Sequence, residues 1–275
     1  MTLAMEPFAH FILTRLNVPL RRKAVPGAPV EPSGVDEDWL TRRFELFERV
    51  CLPAMARQTE GDFQWLVFMD WTTPVVFKER MAALAVHHEF LRPIYASEFL
   101  EEMVLAEIHR RESGGRVRIT TRLDGDDAIH PRMIERVQEM AREHMGMMNL
   151  AQGFVVSFPV GCCERDGDYY LVYERLNPFM SYVSAMECSR TAMGLDPRQF
   201  AGDAPMVVRL GRPMWCQVIH GENWSARLRG VYWPWGGRSE FARIPAPGFP
   251  RTFRWQCAEV IRSAAACFRP GRGGV

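Results

Sequence analysis

Two patterns of apolar and polar positions alternate along the first half of the chain. Continuous apolar runs, such as the one from His10 to Arg15, are typical of strands buried on both faces. Segments whose apolar residues recur at helical spacing, such as Asp36 to Met55, separate these runs. This alternation predicts an α/β sandwich with a mostly parallel central sheet. The predicted strands cover residues 10–15, 63–70, 91–95 and 116–123, and the predicted helices cover residues 36–55, 74–86, 98–112 and 131–144.

The second half of the chain is more irregular. Asp166-Gly167 is a typical hairpin turn between two short apolar segments. Neither a repeat nor a linker interrupts the chain, so a single domain is predicted for residues 1–275. The elements predicted in this half are strands over residues 153–160, 169–174 and 214–219, a short helix over residues 186–193 and a terminal helix over residues 252–268.

Composition and charge limit the classes of partner and the cellular location that we expect for this protein. The 275 residues include 34 Lys and Arg and 33 Asp and Glu, which leaves a formal net charge of only +1. A chain without a global positive field is not expected to bind nucleic acid. Seven scattered cysteines without a CxxC pair favour reduced thiols, and the sequence shows neither a signal peptide nor a membrane-length apolar span. A soluble, cytoplasmic protein is therefore predicted.

The segment Thr120–Ile129 carries the strongest chemical signal. Asp124, Asp126 and Asp127 directly follow a predicted strand, and carboxylates this close repel one another unless a cation lies among them. Ligands of open α/β sheets bind beyond the carboxyl ends of the strands, where this turn is expected. Carboxylate oxygens favour Mg²⁺ or Mn²⁺, which commonly bridge to phosphates. The structural alternative is an exposed acidic turn in which Asp127 caps the helix that opens at Pro131.

Polar residues at the ends of other strands are further candidates. His220 follows an apolar strand, and its imidazole suits an Mn²⁺ shell begun by carboxylates, although most single histidines are structural. Arg15 and Asn17 follow the first strand, and Asp70 ends the second. These three are placed to contact a nucleotide. Alternatively, Arg15 and Arg122 neutralise neighbouring carboxylates.

Four segments are distinctive when they are taken together: HFILTRLNV at residues 10–18, RFELF at 43–47, TRLDGDDAI at 121–129 and WCQVIHGENW at 215–224. In this order they resemble the rhamnosyltransferase family of bacterial glycosyltransferases, and the resemblance extends from about residue 8 to residue 226. It implies a GT-A fold, a nucleotide-sugar-binding α/β sandwich in which a DxD motif holds a divalent ion against the donor diphosphate. It also implies that residues 8–150 bind the nucleotide sugar, and that residues 151–275 form the acceptor side and a C-terminal helix.

The resemblance also implies roles for individual residues. Asp126 is expected to bind Mn²⁺ or Mg²⁺, with His220 as a late metal ligand. Asp124 is expected to contact the ribose or the donor sugar and to reach the ion as well. The residues expected to bind the donor are Arg15, Asn17, Asp70, Arg122 and Asp124, of which the arginines contact the diphosphate or base and Asp70 contacts the nucleoside.

An inverting transferase also needs a carboxylate that takes the proton of the acceptor hydroxyl. The candidates are Asp127, Glu174 and Glu187, and the sequence does not choose among them. Glu187 is singled out with Asp127 because it follows an apolar, aromatic stretch, residues 178–183, that suits an acceptor pocket. Whether the reaction inverts or retains configuration stays open.

The resulting prediction is a metal-dependent glycosyltransferase that moves a sugar, rhamnose by the family name, from a nucleotide-sugar donor to a glycan or lipid-linked acceptor. The terminal helix over residues 252–268 mixes arginines with apolar residues, which predicts peripheral contact with the inner face of a membrane. Two alternatives remain: a Mg²⁺-dependent nucleotidyltransferase or phosphohydrolase, and a non-catalytic relative that binds nucleotide sugars. No P-loop, GxGxxG, HExxH or GxSxG motif supports another enzyme class.

Overall fold

Two β-sheets organise the part of the chain that the computed structural model describes, namely residues 8–19, 36–111, 117–194, 204–221, 223, 227–234 and 241. The strands are β1 (Phe8–Arg15), β2 (Gln64–Asp70), β3 (Leu91–Ala96), β4 (Val117–Arg122), β5 (Ala128–Ile129), β6 (Phe154–Ser157), β7 (Val160–Arg165), β8 (Asp168–Tyr173), β9 (Ser181–Ala185), β10 (Met206–Val208), β11 (Trp215–Val218) and β12 (Val231–Tyr232). The helices are α1 (Glu37–Leu46), α2 (Leu52–Ala56), α3 (Val75–His87), α4 (Glu101–Arg111) and α5 (Met133–His144), and a π-helical turn, Phe47–Cys51, joins α1 to α2.

The larger sheet has seven strands in the order β10-β6-β9-β4-β1-β2-β3. Six of these strands point the same way, and β9 runs antiparallel to its neighbours β4 and β6. The central strand β1 is covered on both faces. Ile12 packs into the core beneath α1 and α5, whereas Leu13 packs on the opposite face with Val104 of α4. The continuous apolar run of β1 thus reflects helices on both sides of a mostly parallel sheet, which confirms the predicted fold class.

The alternating elements of the first half agree with the sequence predictions within a few residues. Asp36 caps α1 by accepting a 2.7 Å hydrogen bond from the backbone N–H of Trp39. The helix predicted over residues 36–55 is continuous in direction but contains the π-helical turn Phe47–Cys51. This turn faces the acidic segment, where Phe47 packs close to Gly125.

The second half departs from the sequence predictions in three places. The turn at Asp166-Gly167 is confirmed, with positive φ at both residues, but its first strand is β7 rather than residues 153–160. The helix predicted over residues 186–193 is wrong. The carbonyls of Met186, Cys188 and Arg190 all accept hydrogen bonds from the buried Arg118, and helical geometry would not bring these alternate carbonyls together. The stretch predicted to line an acceptor pocket contains most of β9, a strand buried between β4 and β6.

Strands from both halves of the chain share both sheets. Strands β6, β9 and β10 complete the larger sheet, and β5 joins the smaller sheet, whose order is β12-β8-β7-β11-β5. The predicted division into a donor-binding half and an acceptor-binding half therefore does not coincide with the boundary between the two sheets. None of the described helices combines the length and the apolarity that crossing a bilayer requires. The terminal helix predicted over residues 252–268 lies outside the described residues.

Candidate functional site

The carboxyl ends of β1, β2 and β4 meet at one edge of the larger sheet. Parallel pairing aligns Arg15 with Phe68 and Leu13 with Arg122, so the residues that follow these strands lie at the same level. The strand order also reverses here, because the chain proceeds outward from β1 through β2 to β3 and then returns to place β4 on the other side. Such a topological switch point is where open α/β sheets bind their ligands.

The acidic turn that follows β4 is fixed to β1 by Thr14 and Gly125. The Thr14 hydroxyl donates to the carbonyl of Leu123 at 2.7 Å and accepts a 2.8 Å hydrogen bond from the indole N–H of Trp65. A β-carbon at Gly125 would lie only 3.0 Å from the side chain of Leu16. The glycine therefore lets the turn pack directly against the end of β1, and the hydroxyl sets where the turn begins.

Asp126 is the centre of this turn. It is 6% exposed, and its Oδ2 accepts hydrogen bonds from Nη1 of Arg43 at 2.7 Å and from Nε2 of His220 at 2.9 Å. Burial by itself would raise the pKa of Asp126, but Arg43 and His220 outweigh it and lower the pKa to about 2. The loop after β11 holds His220 in place, because its backbone N–H donates to Oδ1 of Asn223. The predicted proximity of Asp126 and His220 is thus present in the structure.

Asp127 is buried beside Asp126 but faces another part of the fold. Its Oδ1 accepts a 2.8 Å hydrogen bond from the backbone N–H of Val218 in β11. Helix α5 has no side-chain cap, so both the exposed turn and the capping role considered for Asp127 are wrong. Burial, followed by the nearby charges of Asp126 and Asp124, raises the pKa of Asp127 well above its ordinary value. This arrangement favours a carboxyl that fixes β11 over the predicted general base.

Asp124 pairs with Arg122 across the start of the turn. Nη2 of Arg122 lies 3.2 and 3.1 Å from the two carboxylate oxygens, and Nε lies 3.2 Å from Oδ1. About a third of each side chain is exposed. The Asp124 carboxylate, acting against burial, raises the pKa of Arg122. The pair faces the solvent at the sheet edge, where the arginine is accessible to a phosphate.

Arg15, Asn17 and Asp70 lie at the same edge on the other side of β1. Asn17 is buried, accepts from the backbone N–H of Asp70 at 3.1 Å, and donates to Thr73 at 2.8 Å. Asp70 in turn accepts hydrogen bonds from the backbone N–H and the hydroxyl of Thr72. Asn17 therefore orders the loop that follows β2, and Arg15 stays beside it with Nη1 donating to the Val18 carbonyl. These contacts bring the predicted donor-binding residues to one edge.

The other two carboxylates considered as the general base lie far from this edge. Glu187 follows β9, which is antiparallel to β4 and pairs Ala185 with Val117, so Glu187 lies beyond the amino end of β4, roughly 20 Å from the acidic turn. Glu174 follows β8 at the end of the smaller sheet opposite to His220, and it pairs with Arg229. The prediction of Glu187 as a catalytic residue is therefore inconsistent with the topology.

Asp126 and His220 carry atoms that a divalent ion could take as neighbouring ligands. The 2.9 Å between Oδ2 and Nε2 is the length of their hydrogen bond, so an ion would have to replace that bond and bind a deprotonated Nε2. Asp124 does not join them, because its carboxylate faces Arg122. Within the described ranges, no group of three or more His, Cys, Asp and Glu side chains is arranged to hold a metal ion. The remaining ligands would have to come from water and a bound phosphate.

Arg43 is the site residue that sequence reasoning missed. It lies on α1, 83 residues before its partner Asp126, and nothing in the local pattern distinguishes it from the neighbouring arginines. The one available signal was its position at the start of the RFELF segment, which is among the segments that carry the family resemblance.

Comparison with known proteins agrees with that resemblance. The sequence profile of the family described as "Putative rhamnosyl transferase" matches residues 34–232, which is most of the chain. The chain belongs to this rhamnosyl transferase family. The match includes the acidic turn, His220 and Arg43. No curated protein sequence matches the chain at a significant level.

Solved structures show a distant similarity to this rhamnosyl transferase family member. S. aureus TarS 1-349 in complex with UDP-GlcNAc aligns with a TM-score of 0.44 and 10% identity, covering 80% of this chain and 62% of that chain. A 4-diphosphocytidyl-2C-methyl-D-erythritol synthase from Anaerococcus prevotii aligns with a TM-score of 0.36 and 11% identity, covering 74% and 87%. This chain thus spans about three fifths of the TarS fragment.

Proposed function

We propose that this protein is a glycosyltransferase that binds a nucleotide-sugar donor at the carboxyl edge of β1, β2 and β4. The observation that supports this most directly is the pairing of Asp126 with His220 at the topological switch point of a chain in the rhamnosyl transferase family. We further propose that Mn²⁺ or Mg²⁺ binds these two side chains, and that oxygens of the donor diphosphate and water complete its shell. Two protein ligands plus substrate phosphates are usual for such ions.

Transfer requires the bond between the sugar and the diphosphate to break, which leaves negative charge on the departing nucleotide. A divalent ion bound there would neutralise part of that charge. Arg122 is positioned at the same edge and has enough exposure to donate to a phosphate oxygen. Asn17 and Asp70 are proposed to shape the nucleoside side of the site, because they order the loop after β2. Asp124 is proposed to contact the donor ribose or sugar.

The acceptor is proposed to be a glycan or a lipid-linked glycan, and rhamnose is the sugar that the family name suggests. Peripheral contact with a membrane is proposed only from the sequence of residues 252–268. The proton of the acceptor hydroxyl needs a base if the reaction inverts configuration. The burial of Asp127 and the remoteness of Glu187 make both poor candidates.

A thermal-shift panel of nucleoside diphosphates and nucleotide sugars, with Mn²⁺, Mg²⁺ or EDTA, tests the donor site. A nucleotide that binds the folded state raises the melting temperature. Asp126→Asn and His220→Gln are expected to weaken metal-dependent nucleotide binding at least about tenfold. His87→Gln is the matched control, because His87 is exposed at the end of α3. Equal binding by all four proteins would overturn the assignment of the metal ligands.

Product analysis separates the three classes of function. A glycosyltransferase releases a nucleoside diphosphate from the nucleotide sugar, and slow hydrolysis without acceptor suffices to detect it. Release of pyrophosphate or phosphate instead would identify a nucleotidyltransferase or phosphohydrolase. Tight nucleotide-sugar binding without any product, across a range of metals and acceptors, would identify a non-catalytic relative.

A further inference from the structure

Arg43 supplies a positive charge at the centre of the candidate site. Its Nη1 donates to Oδ2 of Asp126 at 2.7 Å, and its guanidinium lies 5.8 Å from the ring centre of Trp39. Its Nε is buried without a hydrogen-bond partner. A buried N–H without a partner is uncommon in a folded protein, and such groups often mark a site where a ligand or another state satisfies them.

The acidic turn is charge-balanced by the protein itself. Asp126 is bound by Arg43 and His220, Asp124 is bound by Arg122, and Asp127 accepts from a backbone N–H. The repulsion among the three carboxylates, from which the sequence predicts a bound metal ion, is thus relieved by groups of the protein itself. A divalent ion is not needed to hold the turn together, so the turn can form before the ion and the donor bind.

Arg43 and a divalent ion compete for the same carboxylate oxygen. An ion about 2.1 Å from Oδ2 of Asp126 would lie within about 5 Å of Nη1 of Arg43, at a site shielded from solvent. Two positive centres this close repel each other strongly where water is largely excluded. The diphosphate of a nucleotide sugar carries two negative charges, which would give both cations a partner.

We propose that Arg43 is the counter-ion of Asp126 in the ligand-free protein, and that its guanidinium leaves Oδ2 for the donor diphosphate when a divalent ion binds. This inference rests on the proposed function, because the site must take an ion and a nucleoside diphosphate. Its consequence is that the ion binds weakly alone and tightly together with the nucleotide. Arg43 is then a residue that couples metal binding to donor binding.

The test is Mn²⁺ affinity measured with and without a nucleoside diphosphate, using electron paramagnetic resonance to count free Mn²⁺. In Arg43→Met the competing cation is gone, so the affinity for Mn²⁺ alone should rise at least about tenfold, the weak end of what a charge-assisted hydrogen bond is worth. The added nucleotide should then enhance Mn²⁺ binding less than in the wild type. Arg49→Met is the matched control, since Arg49 is an exposed arginine one and a half turns further along the same helical segment.

A second variant guards against misfolding. Arg43→Gln keeps a neutral hydrogen-bond donor beside Asp126, and its affinity for Mn²⁺ alone should rise in the same direction. In EDTA both variants should have a lower melting temperature than the wild type. Added Mn²⁺ should raise the melting temperatures of the two variants more than it raises that of Arg49→Met.

The outcomes separate failure of this inference from failure of the proposed function. If the wild type and both Arg43 variants bind Mn²⁺ alone equally well, while nucleotide binding still depends on Mn²⁺, then the role of Arg43 is wrong and the metal-dependent donor site stands. If no variant binds Mn²⁺ even with every nucleoside diphosphate, the metal part of the proposed function is wrong, and the coupling is overturned with it.

Discussion

Replacing Thr14 by valine should strongly destabilise the protein, even though an apolar side chain of the same shape would ordinarily suit a buried position. Thr14 is fully buried, and its hydroxyl joins the Trp65 indole to the Leu123 carbonyl through two hydrogen bonds. Valine has nearly the same shape but leaves one donor and one acceptor without a partner in the interior. Each buried group left unsatisfied costs about 1–3 kcal/mol, so the free energy of unfolding should fall by about 2–6 kcal/mol.

Urea unfolding of Thr14→Val beside Thr14→Ser provides the measurement. Serine keeps the hydroxyl and loses only a methyl group, which should cost about 1 kcal/mol. Because the Leu123 carbonyl immediately precedes Asp124, the valine variant should also bind the nucleotide more weakly than the serine variant in the presence of Mn²⁺. A valine variant at least as stable as the serine variant would refute the idea that this hydroxyl anchors the acidic turn.

Three further predictions concern the carboxylates. Asp127→Asn should fold stably and keep most of its turnover, since the amide oxygen can still accept from Val218; a loss of activity above a hundredfold would instead support a general base. Arg43 and His220, acting against burial, lower the pKa of Asp126 from 3.8 to about 2. Their pairing with Asp126 therefore stabilises the fold above about pH 4, and this stabilisation is lost as the pH falls toward 2. Acid unfolding of Asp126→Asn should lack that pH-dependent component. Glu187→Gln should leave kcat within about twofold, because Glu187 lies at the opposite end of the sheet; a large fall would contradict that placement.

The sequence predicts the first half of the fold well for a physical reason. Strands β1 and β2 are covered by helices on both faces, so most of their side chains are apolar. Such a run predicts a strand without any knowledge of what packs against it. The end of such a run also marks the sheet edge. Strand β4 is less apolar, but its place in the alternation of strands and helices likewise predicts that the acidic turn after it, with Asp126 at its centre, lies at a sheet edge where ligands bind.

The elements that sequence reasoning missed depend on distant partners. Strand β9 is buried because β4 and β6 flank it, and the segment after it is not helical because Arg118 binds its carbonyls. The local sequence over residues 186–193 reveals neither the flanking strands nor the contact with Arg118. The same limit applies to the acidic turn. Three carboxylates within four residues predict a bound cation, but Arg43, which is distant in sequence, already supplies a positive charge to Asp126.

Arginine rather than lysine suits both cation positions in the turn. Arg122 uses Nε and Nη2 on the two oxygens of Asp124, and Arg43 can offer several N–H donors to a diphosphate once its Nη1 leaves Asp126. With these two arginines, and with burial raising the pKa of Asp127, the turn is close to neutral. A divalent ion alone would add two positive charges to a buried neutral site, and a diphosphate alone would add two negative ones. Together they add none, so the electrostatics of the turn favour their joint arrival over the separate binding of either.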